Sequence, residues 1–230
     1  MADDHRLDPR VPLLLLLSAT TGLVDAASVL GLGRVFTANM TGNVVFLGFA
    51  AAGLPGFAWI SFVVAIAAFL VGALLGGRTA KTYAGRPERR WLLTAAGLET
   101  AMLWVAAIAA VGFRIDAPDQ VRLYAIIVLT GIAMGFRNAT VRQMKVPDLT
   151  TTVLTLTLTG LAADSSAAGG ASPNWLRRVA AVFTIFVGAL VGALLLVNYG
   201  LWAPLAAAGV LVIAATLGFV SARSMQATST

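Results

Sequence analysis

The chain has 230 residues, of which 59% are hydrophobic and 11% charged, with a mean hydropathy of +0.88. A soluble domain carries about a quarter charged residues, so this composition excludes an ordinary water-soluble globule. The net charge of +6 fits basic loops beside membrane spans; nucleic-acid binding is not expected, because no basic stripe with interleaved aromatics is present.

Cysteine is absent, which excludes disulfides, thiolate metal sites and cysteine nucleophiles. His5 is the single histidine and lies in a polar tail, so a buried imidazole base or metal ligand is excluded too. No Gly-x-Ser-x-Gly elbow is present either. Neither an enzyme nor a cofactor is expected.

A short tail, residues 1–10, precedes Val11-Pro12 and a leucine run that stays apolar to about Gly33. That length crosses a bilayer, so the segment reads as a retained first helix and not a signal peptide. Further full-length spans are predicted at 57–77, 91–113, 121–140, 179–198 and 202–221, after the first at 11–32. Gly53-Leu54-Pro55-Gly56 and the stretch from Tyr199-Gly200 to Pro204 break the two long uncharged regions. Two shorter apolar, Thr-rich segments remain, at about 37–52 and 149–163.

Positive charge decides how the short segments are read. If each dips in and returns, the 16 basic residues divide 13 on the cytoplasmic side to 3 outside. If both cross, the division becomes 7 to 9, which is no bias. The positive-inside rule therefore favours six spans plus two re-entrant segments, with both termini cytoplasmic. The first count places Arg137 among the cytoplasmic residues.

The two halves resemble each other. Leu70-Val71-Gly72-Ala73-Leu74-Leu75 recurs as Leu190-Val191-Gly192-Ala193-Leu194-Leu195. Gly22-Leu23-Val24-Asp25-Ala26 is echoed by Gly135-Phe136-Arg137-Asn138-Ala139, Thr37 to Gly48 by Thr151 to Ala162, and Ala95-Ala96-Gly97 by Ala207-Ala208-Gly209. Three crossings per half is an odd number, so the second copy would be inverted. The expected fold is an all-α polytopic membrane protein of about six transmembrane helices plus two short re-entrant or broken helices, arranged as two inverted repeats. Its parts are a cytoplasmic tail (1–10), a first membrane repeat (11–113), an external loop (114–120), a second membrane repeat (121–221) and a cytoplasmic tail (222–230).

Asp25 lies about two-thirds along the first span, and Glu99 lies inside 91–113, closer to one end. A carboxylate at the bilayer centre costs on the order of 3 kcal/mol, so it faces a cavity or a partner. Each reads either as a proton or cation site or as half of a structural ion pair. Phe36-Thr37-Ala38-Asn39-Met40-Thr41-Gly42-Asn43 is the most polar stretch of an uncharged region. A short helix starting there would aim free N–H groups inward as an anion site; alternatively its Asn and Thr satisfy backbone freed by the break. Thr151, Thr155 and Thr159 share one helical face, either lining a path or bonding back to their own helix. Arg137, beside Asn138, either neutralises an anion or marks the cytoplasmic end. Gly72 to Gly76 and Gly188 to Gly192 are small-xxx-small motifs, read as packing between the halves or as a homodimer seam.

Gly22-Leu23-Val24-Asp25-Ala26, the Phe36–Asn43 stretch and Gly135-Phe136-Arg137-Asn138-Ala139 together resemble the DUF1275 (YoaK-like) bacterial membrane proteins. The resemblance implies a bacterial cytoplasmic (inner) membrane protein of about six spans, with no activity attached. The residues themselves suggest a secondary transporter of a small polar or anionic solute, with Asp25 placed to couple a proton. Its substrate-binding residues would be Asp25, Asn39, Thr41, Gly42, Asn43, Asn138, Thr151 and Thr155, between the two re-entrant segments. Glu99 and Arg137 would be coupling or charge partners. A channel, or a non-transporting scaffold or accessory protein, is the alternative. The partners expected are the lipid bilayer and a small-molecule solute.

Overall fold

The computed structural model describes residue 8 and residues 10–146, 154–172 and 174–228, with side chains described as far as residue 222. The helices are α1 (Arg10–Gly31), α2 (Met40–Ala51), α3 (Trp59–Thr82), α4 (Glu88–Ala109), α5 (Gln120–Met144), α6 (Leu154–Ala163), α7 (Trp175–Tyr199) and α8 (Trp202–Thr228). Six of them are long and apolar enough to cross a membrane; α2 and α6 are not. The chain is an all-α polytopic membrane protein.

Local chemistry sets the helix ends. Asp119 caps α5, its Oδ1 accepting from the Val121 N–H at 2.9 Å and the Arg122 N–H at 3.4 Å. Arg122 then donates from Nε and Nη2 to the Ala109 carbonyl at 3.0 and 2.6 Å, satisfying the end of α4. Gly200 stops α7 with a φ of +93°. Pro204 falls in the first turn of α8, where a missing N–H breaks no helical bond.

Burial separates the helices into layers. The spans of α1 and α5 are 67% and 61% buried, those of α3 and α7 only 33% and 22%. The centre is α1, α4, α5 and α8, with α3 packed on α5 and α7 packed on α1 from outside. The outer face of α7 exposes Val179, Phe183, Phe186, Leu190, Leu194 and Val197 at helical spacing. Such a stripe suits lipid.

Glycine sets the two tightest contacts. Gly22 of α1 abuts the Ile185 carbonyl and Ala189, Gly188 abuts Ala19, and Gly192 abuts Leu23 and Ala26. The same set recurs between α5 and α3: Gly135 on Phe69 and Ala73, Gly72 on Ile132, and Gly76 on Phe136 and Ala139. The outer helix of each half therefore packs on the central helix of the other half. Phe46 on Phe62 likewise recurs as Gly160 on Arg178, and Asn43 and Thr157 are the buried residues described for α2 and α6.

These contacts correct one sequence alignment. The repeated Leu-Val-Gly-Ala-Leu-Leu string matches Gly72 with Gly192, whereas packing makes Gly72 the counterpart of Gly188. Small residues recur every four positions in both helices, so the letters fit equally well one turn out of register; only the backbone contacts fix it. The glycines of both small-xxx-small motifs are used inside the chain.

Contact order also fixes direction. Along α1 and α7 the partners rise together, from Ala19 with Gly188 to Ala26 with Gly192, so these helices are parallel. α3 and α5 are parallel by the same test. Thr100 with Gly209 and Trp104 with Ala206 make α4 and α8 antiparallel. Arg10 pairs with Glu88 at 3.0 Å, which places the starts of α1 and α4 at one end of the bundle, the Arg10 end. Arg122 on the end of α4 places the start of α5 at the opposite, Gly31 end. Because α3 runs with α5, it starts at the end where α1 stops. α2 therefore returns the chain to the end it left, and α6 does the same at the Arg10 end. This agrees with the expectation for both short segments.

The glycine contacts make a direct prediction. A methyl at Gly188 would run into the Ala19 carbonyl, whereas one at Gly97 meets nothing within 4 Å. Gly188→Ala is expected to cost about 1–3 kcal/mol, and Gly97→Ala to be neutral or to stabilise by up to about 1 kcal/mol. Thermal unfolding of the purified variants in detergent measures both.

Candidate functional site

The centre of the bundle is polar where α1, α4 and α5 meet. On α1, Ser18, Thr20 and Thr21 turn their hydroxyls back onto their own helix, at 2.9 Å to Leu14 O and at 2.7 and 3.1 Å to Leu17 O. Back-bonding satisfies each hydroxyl donor and leaves oxygen lone pairs facing the interior. Arg137 of α5 uses them. Its Nη1 donates to Leu17 O at 3.1 Å, to Thr20 Oγ1, and to Thr21 Oγ1 at 3.5 Å.

The other arm of the guanidinium, Nη2, forms an ion pair with Glu99 Oε1 of α4. Arg137 is 1% exposed and Glu99 4%. A guanidinium suits this position because its fixed fork serves two helices at once. The sequence reading left Arg137, close to the end of the predicted 121–140 span, either to neutralise an anion or to mark the cytoplasmic end, and the charge division counted it as cytoplasmic. The structure moves it to the core, and the remaining charge division is unaffected. Glu99 also shifts: α4 runs over Glu88–Ala109, so this residue sits at mid-helix and not near one end.

Asp25 stands about four turns into α1, where Arg137 is close enough for its charge to act on the carboxylate. The backbone N–H of Ala38, in the connection to α2, serves the same carboxylate, while Oδ1 is buried without a hydrogen-bond partner. Thr37, next to Ala38, is fully buried and its Oγ1 also has no partner. The packing register makes Asn138 the counterpart of Asp25, as the sequence suggested. Its Nδ2 donates to Met134 O at 2.9 Å. Glu99 and Arg137 are matched in register by apolar positions, so the ion pair belongs to one arrangement and not to its copy.

The Phe36–Asn43 stretch is held by Asn43. Its Oδ1 accepts from the Phe36 N–H at 2.9 Å and its Nδ2 donates to Phe36 O at 2.6 Å, so both ends of the amide are engaged locally. Gly42 lets the Phe36 ring approach, where a Cβ would meet it at 2.6 Å. Asn39 occupies the N-cap of α2 without a side-chain cap bond, and both Asn39 and Thr41 are exposed. Thr155 is exposed on α6, and Thr151 lies outside the described residues.

The structure does not bring these two polar segments together. α2 packs on α3 at the Gly31 end, α6 packs on α7 at the Arg10 end, and among the described residues they make no contact. Two segments that each return to the end they left, at opposite ends, cannot meet unless both reach the centre, and their short helices do not. What the structure does gather is Asp25, Glu99 and Arg137, with Thr20, Thr21 and Thr37 beside them. Thr20 and Thr21 were missed in the sequence, although a Thr-Thr pair shortly before an Asp inside a span was the available signal; Thr37 was read only as part of the Phe36–Asn43 stretch.

Space around the trio is uneven. Toward the Arg10 end, a cavity of about 20 Å³ lies between Leu13, Leu17, Leu92, Glu99, Arg137 and Met144, room for about one water. At the Gly31 end, an open pocket of about 590 Å³ begins one turn beyond Asp25, lined by Val29, Arg34, Phe36, Phe46, Ile115 and Leu123 among others.

Comparison with known proteins places this architecture. Residues 13–217 match the family described as a protein of unknown function (DUF1275). The chain belongs to the DUF1275 family. It is 31% identical over 210 residues to the UPF0700 transmembrane protein YoaK of Bacillus subtilis (strain 168), covering 85% of this chain and 89% of that one. No solved structure matches it. The DUF1275 resemblance seen in the sequence thus holds across residues 13–217.

In this DUF1275 member, removing one side of the central pair is expected to be worse than removing both. Arg137→Met alone leaves Glu99 buried and unpaired, a loss of about 3–5 kcal/mol. Adding Glu99→Leu should restore most of it. Comparison of unfolding midpoints for the single and double variants checks this.

Proposed function

We propose that this chain is a carrier, and not an enzyme, for a small polar or anionic solute. Its two halves are read as inverted repeats, with the solute path passing the Asp25, Glu99 and Arg137 trio. The single observation that carries the reading is the exchange of partner helices around buried ionisable groups: α7 on α1, α3 on α5, charges at the centre. Inverted repeats meeting at a polar midplane are the architecture of secondary transporters, and intramembrane charges mark pathways by default. Open pockets lie at both ends, about 590 Å³ at the Gly31 end and about 350 Å³ at the Arg10 end between Arg10, Tyr83, Glu88 and Trp91, and the packing between the second pocket and the trio leaves only about 20 Å³, which supports a path closed on the Arg10 side of the trio. The start of α2, with its N-terminal amides and positive dipole end, supports preference for an anion.

The orientation we propose places the Arg10 end in the cytoplasm of a bacterium, with the protein in the inner membrane. Among the described residues that end collects Arg10, Arg78, Lys81, Arg86, Arg89, Arg90, Arg142, Lys145, Arg177 and Arg178, against Arg34, Arg114 and Arg122 at the other. This is the positive-inside pattern. The transmembrane relative from a bacterium supports the setting.

A second reading, the non-transporting scaffold, draws support from the central seam, which holds about one water. Flux separates the two. In proteoliposomes loaded with a panel of labelled inorganic anions and small carboxylates, the carrier reading expects at least one solute to exchange well above protein-free vesicles. Asp25→Asn should slow that exchange at least tenfold in protein that remains folded. Background flux for the whole panel, with a stoichiometric protein partner co-purifying, would replace the carrier with the scaffold.

A further inference from the structure

The central trio does not balance. Two carboxylates, Asp25 and Glu99, are gathered with one guanidinium, Arg137, which turns Nη2 to Glu99 and Nη1 to the Leu17, Thr20 and Thr21 oxygens of α1 and keeps only Nε without a partner. The elements packed on α1 bring no other ionisable side chain to this depth. α5 supplies Arg137, with Glu99 of α4 behind it; α7 carries none between Arg178 and Tyr199; α8 carries none before Arg223. An uncompensated negative charge among membrane helices costs on the order of 3 kcal/mol or more, and it lies on Asp25.

Two further atoms locate what would compensate it. Asp25 Oδ1 is buried with no partner, and so is the hydroxyl of Thr37, which is fully inaccessible. Thr37 is brought toward Asp25 by its neighbour Ala38, whose backbone N–H faces the carboxylate. Most buried polar atoms have a partner, and among the described residues these two are the oxygens without one beside the α1–α2 connection. A carboxylate oxygen inside α1 and a hydroxyl oxygen in the connection that follows it, both with free lone pairs, make a receptor for a small hard cation.

We propose that Asp25 and Thr37 bind one small monovalent cation, a proton or sodium, between α1 and its connection to α2. The site is lacking in the other half, where Asn138 takes the place of Asp25, so one cation binds per chain. Binding does not depend on the carrier reading; its use to couple transport rests on that reading.

The full-length protein in detergent tests this by thermal unfolding followed through tryptophan fluorescence. One arm replaces sodium with choline at constant ionic strength; the other varies pH at constant sodium. The unfolding midpoint of the wild type should rise with sodium or with proton concentration, and the arm that responds identifies the cation. The response should vanish in Asp25→Asn and weaken in Thr37→Val, and persist in Glu88→Gln at the bundle end. Asp25→Asn also removes the uncompensated charge, so in sodium-free alkaline buffer it should unfold at or above the wild-type temperature. A wild type that responds in neither arm, or an unchanged response in Asp25→Asn, overturns the proposal. Should Asp25→Asn fail to fold, an undiminished response in Thr37→Val overturns it. Because the readout is binding, a flat response leaves any measured flux standing, and absent flux leaves the cation site standing.

Discussion

Everything in this fold depends on helix backbones touching where a side chain would ordinarily intervene. In lipid no hydrophobic force drives helices together, so close packing at small residues must supply the attraction. Gly22 and Gly188 bring α1 and α7 into contact, and Gly72 and Gly135 do the same for α3 and α5. Since each pair joins an outer helix of one half to a central helix of the other, neither half is complete alone. The long apolar faces of α3 and α7 are left to the bilayer, and α1 and α5 are enclosed.

Enclosure is what gives the ionisable residues their weight. Once α1, α4, α5 and α8 close around the centre, Arg137 and Glu99 have no water and must serve each other. The threonines of α1 serve one arm of the guanidinium, accepting from Nη1 through oxygens whose protons are spent on their own helix. This polar knot joins three helices at mid-depth. Asp25 stands beside it with less support, inside α1 and less than two turns before the helix ends at Gly31.

Much of this was legible in the sequence. The lack of charge over 35–77 and 179–222 marked the spans, the Gly-Pro breaks divided them, and the distribution of Lys and Arg favoured a return of the two short segments. The pairing of Asp25 with Asn138 also followed from the letters. The register of α3 against α7 did not, because glycines repeated every four residues fit at more than one turn. Arg137 was misplaced for a related reason: an arginine close to the end of a predicted span looks like a loop charge until the partner on another helix is known. The proposed meeting of Asn39, Thr41 and Asn43 with Thr155 failed on geometry that a linear sequence does not carry. Segments that look alike need not lie at the same end, and Asn43 spends its amide on Phe36.

The central claim is that α2 returns the chain to the end it left, so that the two halves are oppositely disposed. With no native cysteine, single substitutions report sidedness cleanly. Leu54→Cys, in the exposed turn between α2 and α3, and Ala84→Cys, between α3 and α4, would be labelled with a membrane-impermeant maleimide in intact cells and after lysis. The account predicts labelling of position 54 from outside and of position 84 only after lysis. Labelling of both positions from the same side, or of position 84 alone in intact cells, would contradict it.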